Sequence, residues 1–436
     1  MKIDLHNHEP FTFITDNSNE CNVNSVFLLT DQNKMYEQQA IENGCLKIIS
    51  AHECIEMLGL QRIKIIGITG TNGKTTTAAA IYSVLLDLGQ KVALQGTRGC
   101  FINDQRVEDK SLTTPPILQT IRNLKLAHEQ GCDYFVMEVS SHAIVQNRID
   151  GLSFALKILT NITQDHLDFH KTIDEYIAVK SRFFEDDSVK LINNDERKIR
   201  FNKMNAFTYG IEHPATYKVL AYSLKDGISA AIAKKDMVCD FDSALHGFFN
   251  LYNILAAISA VDILGVADIK TICEMAHHFG GVEGRMEVVS TEPLVIVDFA
   301  HTPDGMEKVL DSMKDKELIV VFGAGGDRDR TKRPKMGAVA RRFAKHVIVT
   351  SDNPRSEDPQ SIIDEVVAGI LDHSSVFVEA DRYKAIEKAL RMQQENQAVL
   401  ILGKGDETYQ EISGVKYPFD DREVTKNLLL QLAKQK

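Results

Sequence analysis

The sequence predicts an α/β protein of about three domains, the two larger ones built on mostly parallel sheets. Three observations lead there. The 436 residues, at roughly 150 residues per domain, allow about three. The stretch RIKIIGITGTNGKTTTAAAIYSVLLDLG, from Arg62, reads as a buried strand, a glycine loop and a helix, and KVALQGT follows as a second strand. From Pro293 onward, apolar β-branched runs alternate with helical patterns, the rhythm of a parallel sheet whose ligand loops lie at the carboxyl ends of its strands.

Taken in order, residues 1–61 are rich in Asn, Asp and Glu with short apolar runs, VFLLT and LKIIS, and predict a small α/β module. After the strand–loop–helix–strand unit come strands at YFVMEVSS and ALKILTNI, each ending in polar residues. Residues 195–245 alternate in short stretches that predict an antiparallel annex, and HGFFNLYNILAAISAVDILG has apolar residues at helical spacing. The glycines of GGVEGR predict a hinge. Strands are then expected at PLVIVDF, ELIVVFG, KHVIVTS, VFVEA and AVLILG, with helices between them. The expected domains are 1–61, 62–283 and 284–436.

With 44% hydrophobic and 25% charged residues, the chain has the balance of a globular protein rather than a disordered one. The net charge of −11 argues against nucleic acid or anionic lipid as a partner, so any phosphate ligand must be gripped locally. The 7 cysteines are scattered and odd in number with no CxxC pair, which predicts reduced thiols and a cytoplasmic protein. No basic segment followed by an apolar one opens the sequence, and no stretch approaches the roughly 20 apolar residues of a membrane span. A monomer is expected.

GTNGKTT, from Gly70 to Thr76, is a phosphate loop that departs from the strict pattern by carrying Ile68 where the first glycine would stand. Backbone N–H groups and the helix N-terminus can surround phosphates, Lys74 can reach the terminal ones, and Thr75 can hold Mg²⁺. Glu138, at a strand's carboxyl end, is either a Mg²⁺ ligand or a capping carboxylate. Asp165, His166, Asp168 and His170 follow a strand directly and are either metal ligands or helix caps. Lys180, in DEYIAVKSRFF, reads by default as a solvated helix lysine. Asn250, Asn253, Arg285, Asp298 and His301 stand at helix starts or strand ends and admit structural roles as well as functional ones. FGAGGDRDRTKRP sets Arg328, Arg330, Lys332 and Arg333 beside glycines, which suits either an anionic group or a solvated basic loop. SDNPR places Asp352 and Arg355 on either side of a proline turn, one suited to an ammonium and the other to a carboxylate.

Together these segments resemble the Mur ligases, the ATP-dependent amide ligases of bacterial peptidoglycan precursor synthesis. The resemblance is carried by GTNGKTT, TTP at Thr113–Pro115, MEVSSHA, QNR at Gln146–Arg148, TNITQDHLDFH, the helix with Lys180, NLYN, GRME, VDFAHTPD, GGDRDRTKRP and DNPR, in family order from about residue 62 to 410. DNPR is similar to the signature of members that add meso-diaminopimelate. A distal carboxylate would pair with Arg355, whereas the terminal ammonium of lysine would meet an unpaired guanidinium.

The resemblance implies a small uridine-binding N-terminal domain, a central P-loop ATPase and a C-terminal Rossmann-like domain. It implies that UDP-N-acetylmuramoyl-L-alanyl-D-glutamate, meso-diaminopimelate and ATP give the tripeptide, ADP and phosphate through an acyl phosphate. By motif, Gly70, Thr71, Asn72, Gly73, Lys74, Thr75, Thr76, Asn253, Arg285, Asp298 and His301 would bind ATP. Lys74, Glu138, His166 and Lys180 would be catalytic, with metal at Thr75, Glu138 and His166, and Lys180 carbamylated. Thr113, Thr114, Ser140, Gln146 and Arg148 would hold the UDP substrate, and Arg328, Asp352, Asn353, Arg355, Gly403 and Glu407 the diaminopimelate. Asp406 stands where the family commonly has histidine, Phe299 where it has tyrosine, and DNSNE replaces the usual Asp-Ser-Arg segment, so no uridine contact is carried over. The same step with L-lysine, or a folylpolyglutamate synthase-like ligase, are the alternatives.

Overall fold

The computed structural model describes residues 1–434 except 6, 7, 110, 111, 164, 166 and 226, with the backbone alone at 167 and 168. The chain divides into two compact units. One comprises 1–223, 229–243 and 251–279; the other comprises 224–228, 244–250 and 280–436.

The first unit holds two sheets. The N-terminal one has four strands in the order Lys2–Asp4, Phe13–Thr15, Ser25–Leu28, Lys47–Ile49, with an antiparallel first pair and the rest parallel. The helix Ala51–Met57 that follows is started by a capping box, Ser50 with Glu53, which satisfies two otherwise orphan donors.

The second sheet of this unit has eleven strands, and Lys64–Thr69 lies inside it between the parallel strands Phe154–Leu159 and Tyr134–Glu138. A strand covered on both faces reads as continuous apolar sequence, and KIIGIT is buried from Ile65 onward. Gly67 is required there because a Cβ would lie 2.6 Å from the Phe154 ring. The expected annex is not a separate sheet. Ala206–Gly210 and Tyr217–Ser223 continue the parallel array, and only at the pairing with Ile228–Lys234 does the direction reverse.

In the second unit, five parallel strands run in the order Leu294–Asp298, Gln397–Leu402, Glu317–Phe322, His346–Val349, Val376–Val378, with Glu287–Thr291 antiparallel at the edge. Alternate residues face opposite sides. Ile296, Val320 and Leu400 pack with Met306, Met336 and Ile363, while Val295, Val321 and Ile401 pack with Ile386, Ala389 and Leu428. Helices on both faces of a parallel sheet place the ligand loops at the strand ends.

Those ends are tied together by one buried ion pair. Arg382 begins the helix Arg382–Met392 and Asp421 begins Asp421–Ala433, and both side chains are fully buried. Arg382 donates Nε to Asp421 Oδ1 at 2.8 Å and Nη2 to Oδ2 at 2.7 Å. Two further hydrogens go to the carbonyls of Ser351, at 3.2 Å, and Leu402, at 3.0 Å, which precede Asp352 and Gly403. A buried charge left without its partner is strongly destabilising. Arg382→Met is therefore expected to lower the unfolding free energy by about 3–5 kcal/mol in chemical denaturation of the whole chain, and Arg382→Met with Asp421→Leu to lower it by less.

Candidate active site

The phosphate loop is shaped by what presses on it. Gly70 (φ +150°) and Gly73 (φ +83°) adopt conformations that L side chains rarely take, and a Cβ at Gly70 would lie 1.9 Å from Thr160 Oγ1. One at Gly73 would lie 2.3 Å from Asn253 Oδ1, which also accepts from Thr77 Oγ1 at 3.3 Å. The helix Lys74–Asp87 starts at Gly73, which offers no side-chain cap, and an N-terminus of this kind can turn its N–H groups toward an anionic ligand. Thr71 and Asn72 are stitched to the strand-end segment 160–163: Thr163 N donates to Thr71 Oγ1 at 2.9 Å, and Asn72 N to Asn161 Oδ1 at 3.0 Å.

Two lysines converge on one carbonyl. Lys74 Nζ donates to Gly70 O and Thr71 O, both at 2.9 Å, and Lys180 Nζ donates to Gly70 O at 3.0 Å and Thr69 Oγ1 at 3.2 Å. Lys180 is not the solvated helix lysine its local sequence suggests. It is 1% exposed, and burial together with repulsion from Lys74 pushes its pKa well below the ordinary 10.5, against an opposing pull from Asp165. The ring of Tyr176 lies 4.9 Å beneath its ammonium, and Tyr176 Oη is 3.0 Å from Thr71 Oγ1.

Beside the loop, Glu138 is 2% exposed at the end of its strand. It accepts from Thr75 Oγ1 at 3.0 Å and from Thr97 N at 2.9 Å, and Gly96 is obligatory because a Cβ there would lie 2.1 Å from Glu138 Oε1. Thr76 is buried in the helix behind. Past Glu138 the polar residues form one chain: Thr113 and Thr97 hydroxyls are 3.1 Å apart, and Thr114 Oγ1 donates to Glu138 O and accepts from Ser140 N, each at 2.9 Å. Ser140 also caps the helix Ser141–Val145. Arg148 Nη1 donates to Thr114 O at 2.8 Å, its Nε is buried without a hydrogen-bond partner, and desolvation lowers its pKa. An unpaired buried guanidinium edge beside threonine and serine hydroxyls is a fit for an anion. Gln146 is half-buried, its carbonyl 3.3 Å from Gln32 Nε2. His166 lies outside the described residues. His170 is buried with Nε2 2.9 Å from Ser141 Oγ, a packing role.

The second unit carries the remaining residues. Asp298 is buried, accepts from Met286 N and Ala300 N at 2.7 Å each, and is raised in pKa by burial against the opposing charge of Arg285. Arg285 lies 4.4 Å over the Phe299 ring, and His301 is exposed with Nδ1 2.9 Å from Phe299 O. Around the proline turn, Asp352 and Asn353 are buried, and Asn353 Nδ2 donates to Glu407 Oε2 at 2.8 Å. Fully buried Lys404 donates to both Asn353 Oδ1, at 3.1 Å, and Glu407 Oε2, at 3.2 Å. Gly403 (φ +114°) brings its backbone against Asp352, where a Cβ would lie 2.5 Å from Oδ2. Arg355 holds φ +53° and donates Nη1 to Gly326 O at 2.6 Å. Among the four cations of GGDRDRTKRP, Arg333 is buried against Glu357 and Glu365 and Arg330 pairs with Glu365, so these two serve the fold; Arg328 is exposed beside the turn.

Sequence reasoning missed Thr97, Asn161, Lys404 and Glu411. The first two sit in polar strand ends that carried a signal, but Lys404 and Glu411 act through a pairing with Asn353 and Arg355 about fifty residues away that spacing does not reveal.

A phosphate loop on a parallel sheet, with a carboxylate and a buried lysine beside it, and a separate unit with a charged strand-end pocket, define a nucleotide-dependent group-transfer enzyme of the α/β class. Residues 68–261 match the Mur ligase middle domain and 284–405 the Mur ligase, glutamate ligase domain. A relative from Wolinella succinogenes, UDP-N-acetylmuramoyl-L-alanyl-D-glutamate--2,6-diaminopimelate ligase, is 55% identical over 98% of both chains. The protein of the same name from Helicobacter hepaticus is 52% identical over 92% of this chain and 89% of its own. A solved structure of a ligase of that name covers 99% of this chain and 98% of its own with TM-score 0.71 and 30% identity. The chain belongs to the Mur ligase family.

Lys180 supplies a stability test. Its folded pKa lies below the unfolded value, so between the two the unfolded chain binds the extra proton and stability rises with pH. Lys180→Met removes that dependence. In carbonate-free buffer the variant should outlast the parent in denaturant by a margin that widens as pH falls from about 10.4; parallel pH profiles would contradict a buried, strongly depressed amine.

Proposed function

We propose that the protein is the ATP-dependent, ADP-forming ligase that adds meso-diaminopimelate to UDP-N-acetylmuramoyl-L-alanyl-D-glutamate in peptidoglycan precursor synthesis. The observation that carries this reading is the 55% identity, over 98% of both chains, to a relative named a UDP-N-acetylmuramoyl-L-alanyl-D-glutamate--2,6-diaminopimelate ligase. The charged pocket at the DNPR turn supports the choice of amino acid. We assign residues 1–61, 62–283 and 284–436 to binding of the UDP substrate, the ATPase and amino-acid binding respectively, and take the protein to be cytoplasmic and monomeric.

A carboxylate is a poor electrophile until one of its oxygens can leave as phosphate, which is why amide formation needs ATP. The N–H groups of 70–76 and Lys74 hold the phosphates, with Asn253 fixing the loop from behind. Thr75 and Glu138 present hard oxygen donors 3.0 Å apart, a set that suits Mg²⁺. Bound there, Mg²⁺ would neutralise charge on the phosphates. Arg148, with Thr113, Thr114, Ser140 and Gln146, holds the anionic part of the UDP substrate. Arg285, Asp298 and His301 are taken as ATP contacts, with Arg285 offering charge and Asp298 bracing the 286–300 backbone. Asn353, Gly403, Glu407, Asp352, Arg328 and Arg355 hold the incoming amino acid, whose free amine attacks the acyl phosphate and expels phosphate.

Burial and Lys74 depress the pKa of Lys180, so it gives up its proton more readily than an ordinary lysine, and the free amine can add CO₂ with loss of a proton to leave a carbamate anion. The negative charge then faces Lys74 rather than opposing it. Protein incubated with isotope-labelled bicarbonate should show one carbamate carbon resonance that Lys180→Ala lacks, and Lys180→Ala should lose most turnover; a resonance that persists in the variant removes this assignment.

The direct test is phosphate release with Mg-ATP and UDP-N-acetylmuramoyl-L-alanyl-D-glutamate, with meso-diaminopimelate, L-lysine or no amino acid. Release should require both substrates and favour meso-diaminopimelate. Release that ignores both would point to a plain ATPase.

A further inference from the structure

The guanidinium expected to receive the distal carboxylate of the amino acid already has a carboxylate at its edge. Glu411 Oε2 lies 3.5 Å from Arg355 Nε, and the two side chains are about equally half-buried, 26% and 23% exposed. At that separation the contact is an ion pair longer than a hydrogen bond. It occupies the Nε edge, while Nη1 is directed to Gly326 O at 2.6 Å.

The carboxylate is not what holds Arg355 in place. The main chain does that: Arg355 N donates to Glu411 O at 3.0 Å, and Ser413 N donates to Arg355 O at 2.7 Å, pinning its unusual backbone to the strand Tyr409–Ile412. Gly326 O holds the guanidinium independently. Glu411 is itself fixed, its N–H donating to Asn353 Oδ1 at 2.9 Å. Two neighbouring carboxylates are engaged elsewhere, Glu407 with Lys404 and Asn353, and Asp327 with the hydroxyl and N–H of Ser356. What remains for the Glu411 side chain is its charge.

We infer that Glu411 is a built-in counter-ion for Arg355 that competes with the substrate's distal carboxylate and so sets both the affinity for the amino acid and the margin over lysine. The inference rests on the reading of Arg355 as the carboxylate's receptor. A zwitterionic distal end must share Arg355 with Glu411, which weakens its hold and aids departure of a product carrying the same group. A lysine ammonium meets a neutralised pair rather than a bare cation, which softens its rejection. Glu411 thus trades selectivity for turnover.

The prediction has a sign that structural damage cannot imitate. Glu411→Gln keeps shape and removes charge, so the KM for meso-diaminopimelate should fall about two- to fivefold and that for L-lysine should rise, the size expected of a partly exposed pair. The gain should shrink in high salt, and the KM values for ATP and the UDP substrate should hold. Arg355→Lys, measured alongside, separates the two readings. If it raises the KM for meso-diaminopimelate about tenfold while Glu411→Gln leaves it unchanged or higher, the competitor role is overturned and the receptor stands. If Arg355→Lys changes nothing, the receptor and the inference fall together.

Discussion

The carbonyl of Gly70 is the point on which the first unit's chemistry depends. Two ammonium-bearing side chains reach it, one from the loop's own helix and one from the helix Ile173–Arg182, and both cannot stay charged there at low cost. Burial and the repulsion of Lys74 both press Lys180 toward its uncharged form. The consequences spread outward: Gly70 must lack a side chain because Thr160 presses on it, the loop is bound to the 160–163 strand end, and Glu138 closes the other side through Thr75. Negative charge among these cations, such as a phosphate or a carbamate would supply, relieves their repulsion.

The second unit solves a different problem, that of presenting ions without letting them collapse on one another. Its pocket residues sit on loops after three neighbouring strands, and the Arg382–Asp421 pair fixes two of those strand ends from beneath while contributing nothing to the pocket surface. Above it two pairs of opposite charges stand side by side. Lys404 pairs with Glu407 and Glu411 with Arg355, so under the proposed function a zwitterionic amino acid would enter by exchanging partners rather than by filling a bare field. Recognition by exchange costs affinity and gains reversibility, which suits an enzyme that must release what it has joined.

Much of this was legible in sequence. The parallel architecture followed from βα rhythm, and the phosphate loop from glycines between a strand and a helix. The burial of Lys180 was not legible, because DEYIAVKSRFF looks amphipathic and only packing against the loop shows which face is covered. The antiparallel annex expected at 195–245 holds where Tyr217–Ser223 pairs with Ile228–Lys234 but not before it, because strand alternation does not say where a strand pairs; Ala206–Gly210 joins the parallel array through contacts with Lys190–Asn193 that have no local signature. Sequence leaves open whether Arg330 and Arg333 face an anionic group or solvent for a similar reason, since their partners Glu357 and Glu365 lie on a later turn and helix. Local pattern reports elements and motifs. It does not report which charges have already been spent on the fold.

The central claim is that this chain joins one particular amino acid to one particular nucleotide-linked peptide. The most direct measurement is the mass of the product formed when the protein, Mg-ATP and UDP-N-acetylmuramoyl-L-alanyl-D-glutamate are given equal amounts of meso-diaminopimelate and L-lysine in one vessel. The account predicts a diaminopimelyl product in large excess. A lysyl product in excess would contradict the pocket built around Arg355, and no amide product of either kind would contradict the ligase itself.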